Sequence, residues 1–131
     1  MKLNPPPRAL ALAFAGGSLG TLLRGAISLA LGNLLALFVV NLAGSYFLGW
    51  VNGSAQGPKK RFASPEAKWF WGAGFSGGFT TMSGLALMWV LMLANLGVIA
   101  GLLYVLSQLA AGLLCYALGY RAGKGAWPSV D

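Results

Sequence analysis

Four runs of about twenty apolar residues, at 9–31, 34–51, 69–94 and 98–118, decide what solvent this chain folds in. A helix of that length crosses the ~30 Å hydrocarbon core of a bilayer, whereas the small interior of a 131-residue soluble domain cannot hide four of them. In lipid each main-chain N–H and C=O must be satisfied within the protein, which makes helix the expected state of every run. The expected fold class is therefore an all-α membrane protein, a single domain over 1–131 with four transmembrane helices. Composition agrees, with 57% hydrophobic and 8% charged residues. The 20 glycines fit as well, because small residues let membrane helices approach closely. The first run has some marks of a signal peptide: Lys2 and Arg8 in front, and Ala13-Phe14-Ala15 as a cleavage site. The apolar stretch before that site is too short, and hydrophobicity continues past Gly16-Gly17 to Leu31.

The charges give the orientation. Of nine basic residues only Arg24 lies within a run. Lys2, Arg8, Lys59, Lys60, Arg61, Lys68, Arg121 and Lys124 occupy the two ends of the chain and the link between the second and third runs. The two other turns, Gly32-Asn33 and Asn95-Leu96-Gly97, carry no charge. By the positive-inside rule both termini are expected in the cytoplasm, with the chain inserting one way only. Trp50, Trp69, Trp71 and Tyr120 fall near the same boundary and are expected as interfacial anchors. The Gly-, Ser-, Pro- and Lys-rich link from Asn52 to Lys68 is expected to be a cytoplasmic linker with no ligand of its own. A net charge of +7 also suits a nucleic-acid partner, but basic residues set beside hydrophobic spans are explained more simply by membrane topology.

Several classes of chemistry lack their parts. The chain has no histidine and one cysteine, Cys115, so it holds neither an internal disulfide nor a His/Cys metal site. Its only acidic residues, Glu66 and Asp131, lie outside the runs, which removes the intramembrane carboxylate of a proton-coupled carrier. Paired carboxylates and nucleophile–base pairs are missing too, and enzymatic activity is not expected.

The third run is unusual. Gly72 to Gly84 combines closely spaced glycines with Thr80-Thr81, and the β-branches and hydroxyls of the threonines also tax a helix. A break near the middle of this helix is expected, its freed carbonyls to be met by protein, water or a cation; the alternative is an unbroken helix with a glycine packing face. Asn41, with Gly44 and Ser45 on the same helical face, serves either interhelical hydrogen bonding or ion coordination. Tyr104, Ser107 and Gln108 form a second polar strip open to the same two uses. Arg24 either snorkels toward the outer surface or draws anions to a polar vestibule.

Three motifs, Gly-Gly-x-x-Gly-x-x-x-Arg at Gly16 to Arg24, Val-Asn-x-x-Gly-Ser at Val40 to Ser45, and Gly-x-x-Gly-Gly-x-Thr-Thr-x-Ser at Gly74 to Ser83, occur one per run. Together they resemble the Fluc (CrcB) family of fluoride channels, and Tyr104 with Ser107 looks like that family's polar positions in the fourth span. The resemblance implies an antiparallel dimer with narrow fluoride paths and a structural Na⁺ held by backbone carbonyls of the broken helices, here at Gly77 and Thr80. It implies a fluoride path past Asn41, Thr81, Met82, Ser83, Leu85, Tyr104 and Ser107; the charge of Arg24 is expected to attract anions at the vestibule.

One departure matters. Where the family typically reads Thr-Thr-Phe-Ser-Thr-Phe, this chain has Met82 and Leu85 in place of the two rings. Neither side chain offers the positive edge that an aromatic ring presents to an anion. Together with the one-way charge bias, this leads us to expect pairing with an oppositely oriented paralogue rather than with itself. The expected function is passive fluoride export across the plasma membrane. The alternatives are a non-conducting scaffold subunit, or a small multidrug-resistance-like carrier, whose usual embedded glutamate is missing.

Overall fold

The computed structural model describes residues 5–125, the side chain of Asn33 excepted, and among them every regular element is helical. Lys2 and Asp131 lie outside the described residues. The first helix, α1 (Pro7–Leu31), has proline in its first turn, where a missing N–H removes no helical bond. After Gly32, at φ 78°, α2 (Asn33–Gln56) returns across the membrane. The next crossing, α3, starts with Pro65–Ala67, capped by the Ser64 hydroxyl, which accepts from the Ala67 N–H at 3.2 Å. It continues as a wide-turned π-helical stretch, Lys68–Ser76, and returns to α geometry over Gly77–Phe79. Two extended residues later α4 (Met82–Leu96) completes the same crossing, and after Gly97, at φ 89°, α5 (Val98–Lys124) makes the last one.

Four helical segments, Pro7–Leu31, Leu34–Gln56, Pro65–Leu96 and Val98–Lys124, are thus long and apolar enough to span a bilayer. They match the four predicted runs but reach further at the basic end. Asn52 to Gln56 and Pro65 to Lys68 are helical rather than linker, which leaves only 57–64 between helices. The extension has a simple cause: polar residues add no cost once a helix has left the hydrocarbon, and its hydrogen-bond ladder propagates cooperatively.

Two helix pairs form the frame, each built on glycines four residues apart. Between α1 and α3, a Cβ at Gly16 or Gly20 would overlap the carbonyl of Phe70 or Phe75, and one at Gly78 would overlap that of Gly17. Between α2 and α5 the arrangement is reciprocal. Gly49 and Gly53 lie against the carbonyls of Tyr116 and Tyr120, while Gly119 and Gly123 lie against those of Tyr46 and Trp50. Main chain therefore meets main chain, and dispersion over that close contact holds helices together where lipid gives no hydrophobic drive.

Aromatic rings join the two pairs. Phe47 of α2 meets Trp71 and Phe75 of α3 edge-on at centroid distances of 5.9 and 5.2 Å. Trp71 is thus part of a packed cluster, not only an interfacial anchor. Outside this frame large apolar residues such as Leu22, Leu29, Ile99 and Leu113 are exposed, as expected for faces that meet lipid or another subunit.

Because a backbone carbonyl cannot rotate away, Gly119→Ala and Gly78→Ala should each destabilise the detergent-solubilised protein by roughly 1–3 kcal/mol. Gly25→Ala, with nothing within 4 Å of the added carbon, should change stability by less than about 0.5 kcal/mol. Thermal unfolding followed by circular dichroism distinguishes the two classes.

Candidate functional site

The third crossing loses helical geometry at two residues only, Thr80 (φ −82°, ψ 162°) and Thr81 (φ −145°, ψ 116°). The glycine-rich stretch before them stays helical, though π-wound over Lys68–Ser76, because Gly16, Gly20, Gly74 and Gly78 are committed to the close approach of α1 and α3. The expected break is present but narrower than the sequence suggested.

The two threonines close the helix ends that they create. Thr80 Oγ1 donates to the Ser76 carbonyl at 2.9 Å, which also accepts the Thr80 N–H at 3.0 Å. Thr81 Oγ1 accepts the Gly84 N–H at 3.1 Å, capping α4, and lies 3.1 Å from Ser83 Oγ. Asn41 completes the break from α2. Its Oδ1 accepts the Thr81 N–H at 2.8 Å, and its Nδ2 donates to the Thr81 carbonyl at 3.4 Å. One side-chain amide thereby serves both polar groups of an extended residue at membrane depth, where an unsatisfied group is costly.

This bonding releases two particular carbonyls. In an unbroken helix Gly77 C=O would accept the Thr81 N–H, which Asn41 has taken, and Thr80 C=O would accept the Gly84 N–H, which Thr81 Oγ1 has taken. Gly77 is also exposed, and no Cβ of its own screens the carbonyl. The neighbouring Gly78 carbonyl differs, since it accepts the Thr21 hydroxyl at 3.3 Å. At this point the carbonyl end of α3 and the N–H end of α4 meet, so opposite ends of two helix dipoles converge.

A groove of about 510 Å³ opens beside the break. Asn41, Gly77, Thr80, Thr81, Met82 and Leu85 all line it, along with apolar residues of α2 and α5. Met82 is 73% exposed at its rim, whereas Leu85 is 6% exposed and belongs to the packing. The remaining singled-out residues lie apart from it. Ser83 reaches the site only through its contact with Thr81. Tyr104 lines a second, apolar hollow with Leu31, Phe38 and Met92, while Ser107 is exposed and donates to the Tyr104 carbonyl at 2.8 Å. Arg24 is half-buried on α1 and lines neither space.

Ser45 and Gln108 join the groove from the two polar strips, and two further polar residues, Ser76 and Tyr116, line it without having been singled out. Gln108, only 5% exposed, lies with its Nε2 3.5 Å from the Tyr104 hydroxyl and so connects the groove to the second hollow. The signal for Tyr116 was a strip of period four on α5, through Tyr104, Gln108, Gly112, Tyr116 and Tyr120, which continues the polar strip past its first turn. Ser76 carried no such signal, since its inward direction comes from the π-helical winding, in which its hydroxyl donates to the Trp71 carbonyl at 2.9 Å.

Replacing Asn41 with alanine should cost about 1–3 kcal/mol, because it strands the Thr81 N–H, whereas the Thr81 carbonyl still opens the hydrogen-bond ladder of α4. Thr81→Val, which removes the α4 cap, should cost about 1 kcal/mol. Both losses are read as lowered thermal unfolding midpoints in detergent.

Comparison with known proteins places this architecture. The family model described as CrcB-like protein, Camphor Resistance (CrcB), matches residues 11–120. A protein of Bacillus licheniformis named fluoride-specific ion channel FluC 2 is 37% identical over 114 residues, covering 85% of this chain and 83% of that protein. The fluoride-specific ion channel FluC of Chlorobium luteolum is 33% identical over 129 residues, covering 95% of this chain and 98% of the relative. The fluoride-specific ion channel FluC 1 of Mycolicibacterium paratuberculosis is 37% identical over 123 residues, covering 87% and 89%. With its four membrane-spanning helices, its bent third crossing and this similarity over nearly its whole length, the chain is a multi-pass membrane protein that belongs to the CrcB family.

Proposed function

We propose that this chain is one subunit of a passive fluoride channel of the plasma membrane and conducts together with a second, oppositely oriented subunit. The observation that carries this reading is the groove at the Thr80–Thr81 break, walled largely by apolar residues but presenting Asn41, Thr80 and Thr81 and no charged side chain. A second subunit seated on the exposed face of Gly77 and Met82 would turn that groove into an enclosed path. Fluoride holds its water tightly, so such a path must offer hydrogen-bond donors without a fixed charge that would trap the ion. Asn41 retains an amide hydrogen beyond its single 3.4 Å bond, and the Thr81–Ser83 hydroxyl pair supplies another donor. Ser107 gives its proton to its own helix and must turn to contribute.

A structural Na⁺ fits the same break. Na⁺ prefers neutral or anionic oxygens, and the Gly77 and Thr80 carbonyls are among those that lose their helical donors at the break. These carbonyls would hold the ion, which supplies positive charge at a seam that contains no cationic side chain. Arg24 would add to the field seen by an approaching anion. No proton relay is needed, because the membrane potential supplies about 2.3 kcal/mol per charge per 100 mV for outward fluoride movement.

Orientation supports a paralogue as the second subunit. The described basic residues at chain ends and linker lie at one end of the bundle, which favours both termini in the cytoplasm for this chain and needs a differently charged partner for the inverted position. Relatives numbered FluC 1 and FluC 2 are in keeping with a pair of subunits. The exposed Met82 gives one competing reading some weight: a subunit that keeps the scaffold while the partner alone conducts.

Fluoride efflux from liposomes holding this chain, the partner paralogue, or both distinguishes these readings, with flux expected only from the mixture. Equal flux from the partner alone would assign this chain to the scaffold role, and flux from this chain alone would overturn the heterodimer. Met82→Phe, which adds a ring edge at an exposed rim, should raise flux in the mixture. Leu85→Phe should instead lower the unfolding midpoint by overpacking a buried position, at a cost of about 1–3 kcal/mol.

A further inference from the structure

We infer that the segment 57–64, with the last turn of α5, is a fixed binding site for the headgroup of an anionic phospholipid. This inference does not depend on the proposed conduction. A short basic loop between two helices could wave free in water, yet this one is held down. Lys60 (φ 43°) and Phe62 (φ 59°) both occupy the left-handed region, which side chains other than glycine adopt only where surrounding contacts impose it. The contacts are aromatic. The Phe62 ring meets Trp50 edge-on at 5.3 Å and Trp71 at 6.3 Å, so the loop is pinned to α2 and α3. Its backbone closes on itself through the Lys60 N–H to the Gly57 carbonyl at 3.0 Å. Gly57 is buried so near α5 that a Cβ there would lie 3.1 Å from the Gly123 carbonyl and 3.2 Å from that of Lys124.

Pinning the loop presents Lys59, Lys60 and Arg61 as exposed cations near the α5 end that bears Arg121 and Lys124, with Lys68 opening the π-helical stretch. Among the described residues the one acidic group, Glu66, lies 3.7 Å from Arg8 and is not paired with any of these six. A basic concentration at the level where helices leave the hydrocarbon attracts anionic headgroups. Below it, Leu114 and Leu118 are exposed on the face of α5 that carries Arg121. Charge above an apolar strip matches a lipid, with phosphate at the cations and acyl chain along the helix, better than it matches a soluble anion.

The test uses the whole chain reconstituted in vesicles at 150 mM NaCl, with tryptophan fluorescence quenched by brominated phosphatidylglycerol or brominated phosphatidylcholine. The wild type should bind the anionic phosphatidylglycerol preferentially, and each cation removed should lower that preference on the order of fivefold at most. The triple variant K59A/K60A/R61A, which alters only exposed side chains, should therefore approach parity between the lipids. Phe62→Ala keeps every charge but frees the loop, and should lose most of the preference. Equal quenching of the wild type by both lipids, or an intact preference in the triple variant, would overturn the proposal. So would an unchanged preference in Phe62→Ala, since charge alone would then suffice without a fixed site. Millimolar inorganic phosphate should leave the quenching unaltered, and its reversal by phosphate would show a soluble-anion site instead.

Discussion

A polypeptide can abandon helical geometry inside lipid only where something else takes over its hydrogen bonds, and in this protein that something is the amide of Asn41. By bonding both main-chain groups of Thr81, it performs across two helices what a neighbouring turn would do within one. The freed Gly77 carbonyl follows from the bond to the Thr81 N–H, and the freed Thr80 carbonyl from the Thr81 cap on the Gly84 N–H. Thr80 and Thr81 contribute by folding their hydroxyls back onto the chain, so each half of the crossing ends in a formed cap rather than a frayed turn.

Such a break would be soft if the helices around it could shift. The glycine pairs prevent that. Main chain against main chain leaves no flexible side chain to absorb a displacement, so α1 holds α3 and α5 holds α2 at fixed separation. The π-helical stretch Lys68–Ser76 belongs to the same solution, since it widens the helix and turns Ser76 toward the groove while Gly74 and Gly78 stay on α1. One glycine-rich stretch therefore serves packing, and the unwinding is left to the threonines.

The protein is asymmetric along the membrane normal as well. Basic residues and most of the aromatic cluster gather at one end, while the turns at Gly32 and Gly97 are uncharged. The groove, by contrast, opens sideways, through the exposed Gly77 and Met82.

Four spans and the site of the break were legible in the sequence, because each rests on a local property: run length, or a β-branched pair among glycines. Family membership was legible in the motifs on the first three runs. Local patterns could not say that Gly119 would need Tyr46, that Gln108 would be buried in the groove, or that Leu85 would pack inward while Met82, three residues away, faced out. Those depend on helix rotation and on partners tens of residues distant, as do the extra turns at the basic end and the left-handed loop pinned by Phe62. Hydrophobic length selects the element, but only close packing between helices fixes which face each one turns inward.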